Sequence, residues 1–351
     1  MDANLQSAKA ASNSKPYIAS VEPPFALPGG EVRIRGKHLM GAELRRPNVR
    51  LGETEATVTL ATHDLIVAKV PIGTASGQLT VCRDGASTSN AIDLGVAVEI
   101  SDELHPVGNP AVDSDGNIYA SFSGSRGQAV PVSVYKIDTD YNVRPFVSDL
   151  MNATGLALDS AGYLYVSSRF NGTVYRISPN GAMATYAQGL GVATGIAFDE
   201  EGNLYVGDRS GTIFKIARDR QIYVFATLEP SVSAYHLAFA SSGSLFVTGP
   251  TISSFDAVYE IDPHGTVKEF FRGLGRPQGL AFDVAGNLYV AASLQGNRGI
   301  VRLTPSGEAS LILSGMNLVG VAFAPARSAV LATTSAVHHV AWNIDGQPLW
   351  G

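Results

Sequence analysis

The sequence predicts an all-β protein, with a small β-sandwich followed by a six-bladed β-propeller that is closed by a strand preceding blade one. Three observations predict it. Six segments of the chain repeat one another, the 37 glycines are spaced rather than clustered, and residues 16–94 carry their own alternation of strand and turn signals.

Bulk properties set the frame. A chain of 351 residues exceeds the usual single core and suggests two domains. With 45% apolar and 16% charged residues it is globular. A net charge of −6 argues against a nucleic-acid partner, because phosphate binding needs clustered Lys and Arg. No apolar run reaches the roughly 18 residues that a membrane-spanning helix needs. The single cysteine, Cys82, rules out an internal disulfide and a cysteine-based metal cluster. Lying in a strand pattern, it reads as a small buried hydrophobe, with a reactive thiol as the alternative. Residues 1–15 are small and polar and are expected to form a disordered lead without the apolar core of a signal peptide. The compartment stays open; an extracellular or periplasmic setting would need a leader outside this sequence.

Six segments align without gaps: NPAVDSDGNIYAS from Asn109, GLALDSAGYLYVS from Gly155, GIAFDEEGNLYVG from Gly195, HLAFASSGSLFVT from His236, GLAFDVAGNLYVA from Gly279 and GVAFAPARSAVLA from Gly320. One position, held by Asp113, Asp159, Asp199, Ala240, Asp283 and Ala324, recurs at intervals of 46, 40, 41, 43 and 41 residues. That is the period of a four-stranded blade. Each repeat opens with a near-continuous apolar run, as a strand buried on both faces requires. A polar turn with glycine follows, then a second run carrying an aromatic at Tyr119, Tyr165, Tyr205, Phe246 and Tyr289. Third strands such as VYRI (174–177) and IVRL (300–303) alternate like half-buried strands, and turns such as Ser178-Pro179-Asn180-Gly181 lead to a fourth. The sixth repeat ends with its third strand, near 337–342. The strand-like segment 94–100, LGVAVEI, is therefore expected to supply the missing fourth strand and remove the open edges.

These units resemble NHL repeats and, more broadly, the propellers of the SMP-30/gluconolactonase group. The pattern is fullest from Pro277 to Val290, and the resemblance covers residues 95–351. Residues 16–94 resemble an IPT/TIG domain, an immunoglobulin-like sandwich, through YIASVEPPFALPGGEVRIRGKHL (17–39), VRLGETEATV (49–58), LIVAKVP (65–71), GQLTVCRDG (77–85) and SNAIDL (89–94). Such modules act as spacers or interaction domains.

The propeller resemblance implies a ligand at the mouth of the central channel, lined by two loop sets. Loops before the first strands contribute Asn109, Thr154, Thr194, Tyr235, His236, Arg276, Gln278 and Val319. Loops between second and third strands contribute Arg126, Ser168, Arg169, Asp208, Arg209, 248–256 and 293–298. The second set looks longest in repeats one, four and five, so the mouth is expected to be asymmetric.

The gluconolactonase-like propellers hold a divalent ion with Glu, Asn and Asp residues just before the first-strand glycine. Here those positions are Thr154, Thr194, Tyr235, Gln278 and Val319, none a carboxylate; Asn109 is the one match, with Asn152 nearby. No metal site is assigned and no cofactor is expected, a cation such as Ca²⁺ being disfavoured. Lyase-like propellers use a histidine at the mouth. His236 replaces the repeat glycine and, with Tyr235, is the catalytic candidate if the chain is an enzyme. Its alternative role is to cap the channel, hydrogen-bonded to backbone.

Arg169 and Arg209 occupy matching loop positions in adjacent repeats, with Arg276 and Arg298 expected on the same face. On an acidic protein such a cluster points to an anionic ligand; pairing with neighbours such as Asp208 is the alternative. Asp113-Ser114-Asp115-Gly116-Asn117 mimics a calcium loop but occupies every repeat's turn position. His338 and His339 should point to opposite faces of a strand. The leading function is a binding propeller for a small polar or anionic molecule or a protein partner, leaning away from an enzyme. The alternative is a hydrolase or lyase acting on a lactone or sugar acid.

Overall fold

The computed structural model describes residues 14–41, 45–85 and 87–348, and every regular element among them is a β-strand. Residues 1–13 of the expected lead lie outside the described residues. The chain divides into two compact parts: residues up to Val98 with Leu311–Met316, and Glu99–Ser310 with Asn317 onward.

In the first part, alternation decides which residues go inside. Along Glu31–Lys37, Val32 and Ile34 are buried while Glu31, Arg33 and Arg35 face out. This strand pairs antiparallel with Tyr17–Glu22 and Leu65–Lys69. A second set joins Asn48–Leu51 to Gly77–Arg83, and Gly77–Arg83 to Ile92–Val96. Strand Thr54–Ala61 serves both sets: Ala56 pairs with Val49, and beyond it Val58 pairs with Ala68. Ile18, Ile34, Val49, Ile66, Leu79 and Val81 form the shared core. Cys82 departs from the expectation of burial. It lies between the buried Val81 and Arg83, so the pleat turns it to the outer face, where it is half-buried.

The second part has a propeller-like arrangement. Repeat one comprises Ala111–Val112, Ile118–Ser121, Val134–Ile137 and Val143–Val147. Repeat two comprises Ala153–Leu158, Leu164–Ser168, Thr173–Ile177 and Met183–Ala187, and repeat three Ala193–Phe198, Leu204–Asp208, Thr212–Ile216 and Ile222–Thr227. Each is a separate antiparallel sheet of four strands. Leu318–Ala324, Ser328–Thr333, Val337–Ala341 and Val98–Ser101 form a fourth such sheet. First strands neighbour one another in repeat order, and that of repeat six neighbours that of repeat one.

Two differences from expectation stand out. Four sheets, not six, are separate. The strands of repeat four (His236–Phe239, Leu245–Thr248, Asp256–Ile261, Val267–Gly275) and repeat five (Leu280–Phe282, Leu288–Leu294, Asn297–Leu303, Ala309–Ser314) join, because Val267–Gly275 runs on to pair with repeat five at Leu274↔Leu294 and Gly275↔Ser293. The expected strand over 94–100 is also two strands. Ile92–Val96 buries Leu94 and Val96 in the first part, and Val98–Ser101 joins Val337–Ala341.

The repeat consensus has a structural cause. In repeat five, Asp283 Oδ1 accepts from the Asn287 backbone N–H at 2.8 Å, and Oδ2 accepts from Asn287 Nδ2 at 2.8 Å and the Tyr289 hydroxyl at 2.9 Å. Asp113 holds Asn117 and Tyr119 in the same way. The calcium-like motif is therefore a side-chain-capped turn. The recurrent aromatics also join successive repeats edge-on: Tyr165 meets Phe198 at 4.8 Å, Tyr205 meets Phe239 at 4.9 Å and Tyr289 meets Phe323 at 5.2 Å. Asp283→Ala strands the buried Tyr289 hydroxyl and the Asn287 amide. A loss of about 2 kcal/mol in chemical denaturation is expected; an unchanged midpoint would contradict this account of the motif.

Candidate functional site

The first strands of the second part converge on an axis, and glycine permits the approach. A Cβ at Gly195 would stand 2.4 Å from the Tyr235 carbonyl oxygen, which accepts the Gly195 N–H at 2.8 Å. Repeat four breaks the rule, and the His236 side chain enters the axial space instead. The strands enclose a cavity of about 160 Å³. Asn109, Thr154, Tyr235 and His236 lie where the first strands begin, and Gln347 and Pro348 where they end. Gln347 is anchored there: its N–H donates to Phe282 O at 2.9 Å and its Nε2 to Phe239 O at 3.1 Å.

His236 is 4% exposed. Its ring approaches Gly108, where a Cβ would lie 3.4 Å from Cε1 and 3.5 Å from Nδ1. Gly108 leads into the first strand of repeat one, which is not a neighbour of His236's own strand, so the imidazole spans the channel. Its Nε2 does not make the expected backbone hydrogen bond. Nε2 is buried with no partner among the described residues. Burial pushes its pKa down to about 4, so the ring is neutral at pH 7. Tyr235 faces elsewhere: its hydroxyl donates to Glu229 O, and its ring packs over Gly207 and Gly249.

Several polar candidates hold the scaffold. Asn109 Nδ2 donates to Leu280 O at 2.8 Å, and its Oδ1 accepts from Val321 N–H at 3.0 Å, which joins three first strands. Asn152 is fully buried; its Oδ1 accepts from Gly127 N–H, and its Nδ2 donates to Gly124 O and Ser125 O. The Thr154 hydroxyl donates to Asn152 O and the Thr194 hydroxyl to Gly207 O. Asp208 is buried and accepts from Val192 N–H at 2.7 Å and from the Ser210 hydroxyl, so it ties its own loop to the segment before the first strand of repeat three rather than pairing an arginine. Gln278 contributes its backbone: N–H to Ala291 O, and its carbonyl to the Thr248 hydroxyl.

The arginines divide. Arg169 is held below its usual pKa by burial first and then by the charges of Arg209 and Arg126, each of which lies within electrostatic reach of it. Arg169 Nη2 donates to Gly124 O at 2.9 Å, its Nε is buried without a partner, and Arg209 Nε donates to Ser231 O at 3.2 Å. Among the described residues no carboxylate pairs with any of the three. Both strand-end arginines sit at the His236 end of the channel, their backbone N–H groups bonded to Asn152 O and Val192 O. Arg276 and Arg298 are exposed and no interaction joins them to this group. Arg298 falls in a hairpin rather than the expected long loop; Asn297–Leu303 pairs with Leu288–Leu294 up to a two-residue tip at Gln295-Gly296. Arg126 was visible only as one of many loop residues, and nothing in the sequence pointed to Gln347. No group of three or more His, Cys, Asp or Glu suited to a metal ion occurs among the described residues.

Residues 16–94 match the IPT/TIG domain family. No curated protein matches the chain in sequence. Among solved structures, a candidate gluconolactonase is 19% identical with a TM-score of 0.59, over 72% of this chain and 93% of that one. An auxiliary nutrient binding protein from Bacteroides thetaiotaomicron is 13% identical with a TM-score of 0.54, over 93% and 98%. A streptogramin B lyase is 12% identical with a TM-score of 0.50, over 95% of each chain. At these identities the likeness is one of fold.

Proposed function

We propose that the chain is a binding propeller of six blades, closed by strand Val98–Ser101, that recognises a small anionic molecule at the mouth of its channel. The neighbour order of the first strands supports the blade count. The observation that carries the function is the placement of Arg169 and Arg209 at matching strand ends of adjacent repeats, with Arg169 Nε buried and unpartnered and no carboxylate pairing with either among the described residues, on a chain of net charge −6. Like charges held together are costly unless an anion joins them, and planar guanidinium groups suit a carboxylate. Arg276, Gln278 and Arg298 are outer contacts in this reading, while Asn109, Thr154, Thr194 and Asp208 hold the loops. The fold-level likeness to a nutrient binding protein fits such a role.

Calorimetric titration of the full chain with gluconate and galacturonate, against glucose as the neutral control, tests it. Both acids should bind and glucose should not. Arg169→Glu with Arg209→Glu should weaken the acids about 100-fold. Equal affinity for glucose, or an unaffected double variant, would sink the arginine site. If no free acid binds, a protein partner presenting a carboxylate becomes the better occupant.

A second reading, a lactone hydrolase or lyase, draws on one observation: the neutral, unpartnered His236 imidazole at the channel neck is able to accept a proton. Tyr235 has its hydroxyl engaged and would not share the chemistry. On this reading His236→Ala abolishes turnover of gluconolactone in a folded protein.

A further inference from the structure

We propose that the acid taken at the mouth carries an apolar body beside its carboxylate, as an alkanoate does, rather than being a bare sugar acid. The inference rests on the arginine rim proposed above and adds what lies between the arginines. From repeat one to repeat four, basic and apolar side chains follow one another. Arg169 and Phe170 both reach the loop of repeat one. Arg169 Nη2 donates to Gly124 O at 2.9 Å, and a Cβ at Gly127, the residue after Arg126, would stand 3.5 Å from Phe170 Cε2. Arg209 is tied to the residue before Val232: its Nε donates to Ser231 O at 3.2 Å, and its carbonyl accepts the Ser231 N–H at 3.1 Å. The Ser231 hydroxyl and the Val232 N–H both donate to Pro250 O, at 2.9 and 2.8 Å, and Pro250 leads to Ile252.

These apolar side chains face water although the backbone that carries them is tied down. Phe170 is 46% exposed, Val232 41% and Ile252 92%. The Ile252 loop is held from within: Asp256 Oδ1 accepts the Thr251 N–H at 2.9 Å and the Thr251 hydroxyl at 2.7 Å, and Thr251 Oγ1 accepts the Ser253 N–H at 3.0 Å. One exposed apolar residue needs no explanation, but three on hydrogen-bonded loops beside arginines without carboxylate partners mark a contact surface. Arg126 and Arg209 are exposed too, so a carboxylate reaches them from solvent. The hydroxyls of a sugar acid would leave the apolar groups uncovered. A hydrocarbon chain leading away from the carboxylate covers them, and its burial adds to the charge-assisted hydrogen bonds.

Octanoate is the probe, titrated calorimetrically into the full chain below its micellar concentration, with gluconate as the polar acid and octanol as the uncharged chain. Octanoate is expected to bind at least about tenfold more tightly than gluconate, since burying roughly 60 Å² of apolar surface is worth about that factor. Octanol, which lacks the carboxylate, should bind at least about tenfold more weakly than octanoate. Phe170→Ser, Val232→Ser and Ile252→Ser combined, in a protein with unchanged circular dichroism, should lower octanoate to the level of gluconate. Gluconate binding with octanoate no tighter would overturn the inference and leave the arginine rim standing. Octanoate binding that the triple variant leaves intact would overturn it too, as would octanoate binding that survives Arg169→Glu with Arg209→Glu. If neither acid binds, the rim and the inference fall together. Tight octanoate binding without measurable gluconate binding would uphold the inference and restrict the rim to apolar acids.

Discussion

Gly195→Val is expected to destabilise the second part of the chain by about 4 kcal/mol or to prevent its folding. The glycine backbone N–H donates to the Tyr235 carbonyl, and any Cβ would sit 2.4 Å from that oxygen and 2.8 Å from His236 Cα. The obstructing atoms are backbone, so no rotamer change relieves them. Two first strands would have to separate, which opens the packing between Tyr205 and Phe239. Gly320 is constrained alike, by the Gly108 carbonyl oxygen at 2.4 Å. Gly77 is the control: its nearest neighbour would be Leu51 Cδ1 at 3.9 Å, so Gly77→Ala should cost under about 1 kcal/mol. Urea denaturation followed separately for each part measures both. A Gly195→Val protein with an unshifted midpoint would mean that the strands do not approach as described.

Acid is expected to destabilise the protein well above the pH at which exposed carboxylates titrate. Burial lowers His236 and His338 from 6.5 to about 4, and lowers His339 in the same sense. Glu99 lies 3.6 Å from His338 and would raise it, but that carboxylate is half-exposed and screened, so desolvation prevails. At pH 7 these histidines are neutral in folded and unfolded chains alike, and stability is at its full value. As pH falls below 6.5 the unfolded chain takes up protons that the folded one refuses, so stability declines until pH passes about 4. For His236 and His338 the loss approaches about 3 kcal/mol each. Asp138 and Asp262, held low by backbone N–H donors, act only at lower pH. Denaturation midpoints compared at pH 7.5 and 4.5 test this, with His236→Gln and His338→Gln together expected to flatten the difference. An unchanged slope in that double variant would place the acid sensitivity elsewhere.

The part of the candidate site legible in the sequence was its chemistry by position. Counting from the repeat glycine located Arg169 and Arg209 at matching strand ends, because each repeat rebuilds the same hairpin. His236 was legible as a broken rule. Its reach to Gly108 was not, since that contact joins residues far apart in the chain. The counting failed where a repeat bent its own rules. Val267–Gly275 extends past its neighbour to pair with repeat five, and 293–298 continues as a hairpin where a long loop was expected. Whether such strands stop or run on depends on what lies beside them.

By itself the sequence determined the β class, the six-fold repetition, the IPT/TIG domain at 16–94 and the turns capped by Asp113 and Asp283. Each of these is local, being set by which residues alternate, which turn needs glycine and which carboxylate caps its own loop. Only the tertiary structure decided that Asn109 and Asn152 hold the scaffold together, that Asp208 ties its loop to Val192, and that Gln347 bonds to Phe239 and Phe282 beside the channel. Those assignments depend on which distant residue supplies the partner of a buried polar group, and spacing along the chain does not carry that information.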